Sequence, residues 1–177
     1  LGVRLGEMMN ASDNVMAECI AREVAAAMGR PRSFAGAVDA ITNRLATEHI
    51  SLSGTTLMDS SGLSEDDRLT ARTLEAVVQA AAGPDNPQLR PLLDMLPVAG
   101  GSGTLSERFL NPKTGRGAAG WLRAKTGSLT HTNALAGVVT DRDRRVLTFA
   151  FVSNDAGPTG RTAIDSVAAV LRTCGCT

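Results

Sequence analysis

The period of the hydrophobic pattern changes once along this chain, and that change limits the fold more than any single motif does. Up to about residue 110, apolar side chains recur at helical spacing. Val15, Met16, Cys19, Ile20 and Val24 follow Ser12 in this way, with Glu18 and Arg22 set as an i,i+4 pair. Gly29 and Pro31 stop that helix, and Ser33 is placed to cap a second with the stripe Phe34, Val38, Ile41 and Leu45. Residues 53–67 form a polar loop rich in Ser and Gly. A third helix is expected from about Thr70 to Ala82, and a fourth from Asn86-Pro87 with Leu89, Leu92, Leu93 and Leu96 inside it. The pattern then becomes "GWLRAKTGSL", "ALAGVVTD" and "RRVLTFAFVSN", short runs of β-formers separated by turn-like "THTN" and "DRDR". Three strands with short links imply an antiparallel meander. A last helix, about Gly160 to Arg172, presents Ile164, Val167, Ala168 and Leu171 on one side. The expectation is an α+β fold: a helical part over about 1–110, then a sheet and last helix over about 118–173.

With 177 residues, 43% hydrophobic and 20% charged, the chain has the length and composition of one soluble globular domain. Lys+Arg and Asp+Glu are both 18, so there is no basic footprint for nucleic acid and no polybasic membrane patch. One Trp, four Phe and no Tyr leave little for stacking bases. No run approaches the roughly 20 apolar residues of a membrane span. Cys19, Cys174 and Cys176 have no metal-ligand spacing, and two readings of Cys19 stand: a disulfide partner, or a small buried hydrophobe on a helix. His49 and His131 lack ligand-type neighbours, so neither a metal nor a cofactor is called for. The chain does not begin with Met and opens on "LGVRLGEMMNASDN", which reads as the middle of a helical region. It is expected to be a piece of something longer.

Lys113 and Lys125 are the only lysines, and each heads a Lys-Thr-Gly. Lys113 lies among Pro112 and three glycines, which suits a surface connection. Lys125 falls inside an apolar run, where a lysine, a small hydroxyl and a glycine are poor choices for packing. Chemistry accounts for that cost. A lysine beside a groove holds a carboxylate or steers a neighbouring hydroxyl's proton. Thr126 and Ser128 alternate with it and place hydroxyls on the other face. Gly127 leaves room for a substrate backbone against the strand edge, and the Ser128 N–H is placed to donate to an oxyanion.

A second element is "NASDNVMAE", with Ser12-Asp13-Asn14 at a helix entrance; taken alone, Ser12 there is an ordinary N-cap. Ser-Asp-Asn and Lys-Thr-Gly, with Ser-x-x-Lys, occur together in penicillin-binding proteins and class A β-lactamases. The chain resembles the C-terminal part of the penicillin-binding D-alanyl-D-alanine carboxypeptidases with inserted domains, the peptidase family that includes bacterial penicillin-binding protein 4. Four ordered segments carry the resemblance: "SDNVMAE", "DSSGLSEDDRLTARTL", "LPVAGGSGTLSERF" and "RAKTGSL". It implies a penicillin-binding transpeptidase/β-lactamase-like fold, incomplete without its N-terminal segment. It also implies a serine peptidase that cleaves the D-Ala-D-Ala bond of peptidoglycan stem peptides through an acyl-enzyme, in the bacterial periplasm or extracellular cell envelope, with β-lactams as covalent inhibitors. In such an enzyme Ser12 relays a proton to the leaving amine, tuned by Lys125, and the Asn14 amide holds a substrate carbonyl. Thr126 and Ser128 bind the terminal carboxylate beside Gly127, and the Ser128 N–H is half of the oxyanion hole.

One departure matters. Ser-x-x-Lys is missing: Leu110 and Leu122 stand three residues before the two lysines. The nucleophile is therefore expected on an N-terminal segment, and this chain alone is expected to be inactive. Two rival readings stand beside this one. A class A β-lactamase fragment would need a deacylating glutamate, for which Glu48 is the best-placed residue. A catalytically inactive homologue would bind peptidoglycan or a partner protein instead.

Overall fold

The computed structural model describes residues 1–173. Its helices are α1 (Gly2–Ala11), α2 (Asn14–Ala27), α3 (Phe34–Thr47), α4 (Ala71–Ala82), α5 (Pro91–Met95) and α6 (Gly160–Leu171). Its strands are β1 (Leu122–Ser128), β2 (Thr132–Thr140) and β3 (Val146–Asn154), an antiparallel meander in the order β1-β2-β3. The register sets Lys125 opposite Ala136 and Ala136 opposite Ala150. The α+β arrangement expected from the change of period is the one observed.

The sheet is covered on both faces. On one, Leu122, Ala124, Leu135, Val139 and Phe149 pack with Ile164 and Ala168 of α6 and with Leu105 and Phe109 of the preceding loop. On the other, Ala136 and Val138 meet Val78 of α4, with Leu74 and Leu93 around them. Central strand β2 is buried on both sides, which explains why "ALAGVV" is continuously apolar instead of alternating. Gly137 lies within it where the neighbouring strand comes closest. A Cβ there would stand 2.0 Å from the Arg123 carbonyl oxygen.

Three readings of the helical half need correcting. The buried face of α2 is Glu18, Ile20, Ala21 and Ala25, whereas Val15 is 74% exposed and Cys19 is also exposed. The buried-hydrophobe reading of Cys19 therefore fails, and Cys174 and Cys176 lie outside the described residues. In α3 the buried positions are Gly36, Ala37 and Ala40, while Phe34 is half-exposed beneath the Arg22 guanidinium, 4.3 Å from the ring centroid. Small residues make up the buried face of α3 and half of that of α2, and a stripe drawn through the largest apolar residues misses them. The fourth helix is only the short α5 preceded by a 3₁₀ turn over Pro87–Leu89, because Pro91 removes an amide donor and restarts the helix.

Apolar surface remains open. Val146 and Val152 of β3 are 56% and 36% exposed, and among the described residues no strand pairs with the outer edge of β3.

Candidate active site

Helix α1 ends at Ser12, whose backbone is left-handed (φ 54°) and whose N–H donates to the Met8 carbonyl. Asp13, not Ser12, caps α2: its Oδ1 accepts the Met16 N–H at 2.9 Å. The N-cap reading of Ser12 is thereby displaced, and its hydroxyl is left for other work. A left-handed non-glycine residue carries backbone strain of about 1–3 kcal/mol, and here it lies at the cleft.

Lys125 reaches Ser12 from mid-strand β1. Its Nζ donates to Ser12 Oγ at 2.6 Å and to the Thr126 carbonyl at 2.8 Å. Burial pushes the Lys125 ammonium below its ordinary pKa, since desolvation disfavours the charged form. Ser12, Asn14, Lys125, Thr126, Gly127 and Ser128 all line one cleft of about 420 Å³. The structure thus brings together the six residues to which the resemblance gives a role in the chemistry. Lys113 lies outside this cleft, in an exposed turn.

The outer edge of β1 is covered only over its first half, where the Ala99 N–H donates to the Leu122 carbonyl and the Ala124 N–H donates to the Pro97 carbonyl. By strand alternation, the N–H groups of Thr126 and Ser128 turn to the same edge beyond that cover. Thr126 Oγ1 donates to Thr104 Oγ1 at 2.9 Å, and Ser128 Oγ donates to Asn133 Oδ1 at 3.3 Å. A Cβ on Gly127 would approach Ala134 Cβ to 3.3 Å, so this glycine also relieves packing across β1 and β2.

Several contributors carried no assigned role in the sequence. Thr104, Arg108 and Arg161 line the cleft, and so does the Ser61–Leu63 loop. That loop is fixed from beneath by buried Glu18, whose Oε1 accepts the N–H groups of Ser60 and Ser61 at 2.7 and 2.9 Å. Asp59 holds it from within, accepting from Gly62 and Ser64. Burial raises the Asp59 pKa, but these backbone donors outweigh it and hold the carboxyl below its usual range. Glu18→Ala would strand the Ser60 N–H and leave the Ser61 N–H only its second acceptor, Asp59 Oδ1 at 3.0 Å. It is expected to lower stability by about 1–3 kcal/mol and to weaken acylation, whereas Glu18→Gln keeps an acceptor and loses less. Thermal unfolding compared across both variants checks this. Glu48 lines neither this cleft nor its neighbour and is ion-paired with Arg44 at the end of α3, so no deacylating glutamate is found there.

A second, larger groove of about 780 Å³ adjoins the cleft and shares Lys125 through Leu129 with it. Its walls include Ile41, Leu45, Leu57, Leu69, Leu74 and Val77. Among the described residues, no group of three or more His, Cys, Asp or Glu is placed to hold a metal ion.

Comparison with known proteins adds the following. Residues 1–172 match the model of the "D-Ala-D-Ala carboxypeptidase 3 (S13) family". The chain is 70% identical to carboxypeptidase Rv3627c of Mycobacterium tuberculosis over 98% of its own length and 38% of that protein's. It is likewise 70% identical to carboxypeptidase DacB of Mycolicibacterium smegmatis, again covering 98% of this chain and 38% of the relative. Its structure superposes on penicillin binding protein 4 from Haemophilus influenzae, complexed with a β-lactam, with a TM-score of 0.84 and 26% identity. That match covers 97% of this chain and 41% of the other. The chain therefore spans well under half the length of these relatives.

Proposed function

We propose that this chain, which belongs to the D-Ala-D-Ala carboxypeptidase 3 (S13) family, is the C-terminal portion of the penicillin-binding domain of a serine DD-carboxypeptidase or endopeptidase. The observation that carries the reading is the 2.6 Å hydrogen bond from Lys125 Nζ to Ser12 Oγ in a cleft that also holds Asn14, Thr126 and Ser128. Its substrate would be a peptidoglycan stem peptide ending in D-Ala-D-Ala, and its place the bacterial periplasm or extracellular cell envelope.

The chemistry follows from who donates to whom. Because Lys125 occupies a lone pair of Ser12 Oγ, the Ser12 proton is free to point at the leaving nitrogen. A serine supplied by the N-terminal segment gives its hydroxyl proton to a base on that same segment and attacks the D-Ala carbonyl; its Oγ–C bond forms and the C–N bond breaks. The amine departs with a proton passed through Ser12, which Lys125 can replace. Asn14 offers an amide to a substrate carbonyl, Thr126 and Ser128 offer hydroxyls to the terminal carboxylate, and the Ser128 N–H faces the oxyanion. Water then hydrolyses the acyl-enzyme. A β-lactam would acylate the same serine and remain.

The partner in this scheme is the N-terminal segment of the same enzyme. The apolar groove beside Lys125 and the unpaired edge of β3 offer it a helix seat and a strand position. The test uses the full-length polypeptide. Intact mass after exposure to a labelled penicillin is expected to rise by one adduct, and a peptide ending in D-Ala-D-Ala is expected to release D-alanine. A folded protein that gains no adduct and releases none would overturn the proposal.

A further inference from the structure

The walls of the smaller cleft carry three basic side chains, Arg108, Lys125 and Arg161, and no acidic one. The three are not equivalent. Arg108 is spent on Asp165, to which its guanidinium makes two hydrogen bonds, Nε to Oδ2 at 3.1 Å among them. Lys125 is spent on Ser12 and the Thr126 carbonyl. Arg161 is exposed, and no acidic side chain pairs with it among the described residues. Its one hydrogen bond is a long one, 3.4 Å to Ser128 Oγ.

Its position is nonetheless fixed. Arg161 sits in the first turn of α6, and that turn is pressed onto the sheet through buried Gly160. A Cβ there would meet Asn133 Nδ2 at 3.2 Å and Ser153 Oγ at 3.5 Å. The same Asn133 accepts the Ser128 hydroxyl. One small network therefore holds the end of β1, the start of β2 and the first turn of α6 together, with the guanidinium beside the Ser128 hydroxyl.

We propose that Arg161 is a specificity-determining residue: its guanidinium, with the hydroxyls of Ser128 and Thr126, takes the free C-terminal carboxylate of the substrate, or the carboxylate of a β-lactam. This rests on the function proposed above and adds a residue to it. The hydroxyls alone are neutral donors already engaged with Thr104 and Asn133. An arriving carboxylate must draw them away, and a planar cation with spare donors tips that exchange. Arg161 thereby discriminates a chain-terminal carboxylate from an amide-linked or esterified end.

The test compares second-order acylation of the full-length enzyme by a penicillin free acid and by its methyl ester. Wild type is expected to prefer the acid. Arg161→Gln is expected to reduce the acid-to-ester ratio by about 10- to 100-fold, the range of one charge-assisted hydrogen bond, and Arg161→Lys to restore part of it. A ratio unchanged in Arg161→Gln, including equal slowing of both compounds, overturns the proposal and leaves the function standing. A wild-type enzyme acylated by neither compound overturns the function, and this assignment falls with it.

Discussion

Residues 1–177 prepared on their own take up no penicillin, at a rate at least about 10⁶-fold below that of the full-length polypeptide, the scale on which a hydrolase loses turnover with its nucleophile. The expectation is sharper than the missing Ser-x-x-Lys makes it, because the chain does contain a serine and a lysine in contact. Ser12 and Lys125 are 2.6 Å apart and, out of context, resemble a Ser–Lys dyad. Two features prevent Ser12 from serving as the nucleophile. Lys125 Nζ donates to its oxygen and draws electron density from it, which lowers that oxygen's nucleophilicity. The Ser12 N–H donates to the Met8 carbonyl, so it cannot polarise an oxyanion formed on its own side chain. Mass spectrometry of the isolated chain after prolonged exposure to penicillin checks this, followed by addition of the segment that carries the nucleophile. Uptake restored on that segment supports the two-part site. An adduct on Ser12 of the isolated chain would make Ser12 the nucleophile, with Lys125 as its base, and the proton relay would be lost.

What was legible in the sequence divides along physical lines. The meander was readable because strands β1 to β3 are short apolar runs bounded by turn residues, and because β2 must be apolar on both faces. Lys125 was readable because a lysine is costly in mid-strand, whereas Ser12 and Asn14 read as an ordinary helix start until Ser-Asp-Asn was paired with Lys-Thr-Gly. The buried faces of α2 and α3 were hidden, since alanine and glycine make up much of them and weigh little in any apolar stripe. Glu18 was equally hidden. As one half of an i,i+4 pair it reads as surface charge, yet it is buried and bonded to the Ser60–Ser61 backbone, a long-range contact that no local pattern records. Arg161 lies far downstream of both motifs and gave no signal until the fold brought α6 against the end of β1.

Lys125→Met is expected to slow acylation of the full-length enzyme by about 10²- to 10⁴-fold, the usual weight of a positioned proton donor, while leaving stability near neutral pH unchanged or higher. The two effects have one cause. Lys125 lies in a partly buried place with no acidic partner among the described residues, and burial lowers its pKa by disfavouring the charged form. Between that lowered folded-state value and the ordinary lysine value, the unfolded chain binds more protons than the folded one. Stability from this group therefore rises with pH across that window, and the penalty is present in full below it. Methionine fills similar space without the charge, so the penalty disappears along with the function. The same titration acts on activity with opposite sign. Acylation that needs the Lys125 proton falls as pH rises through the folded-state value, so the alkaline limb of the pH–rate profile lies below the ordinary lysine range and is missing in Lys125→Met. Ser12→Ala should lose about as much as Lys125→Met, and the double variant little more than either, because the two side chains act as one proton path. Losses that multiply instead would show that Lys125 and Ser12 work independently, and the relay through Ser12 would have to be given up.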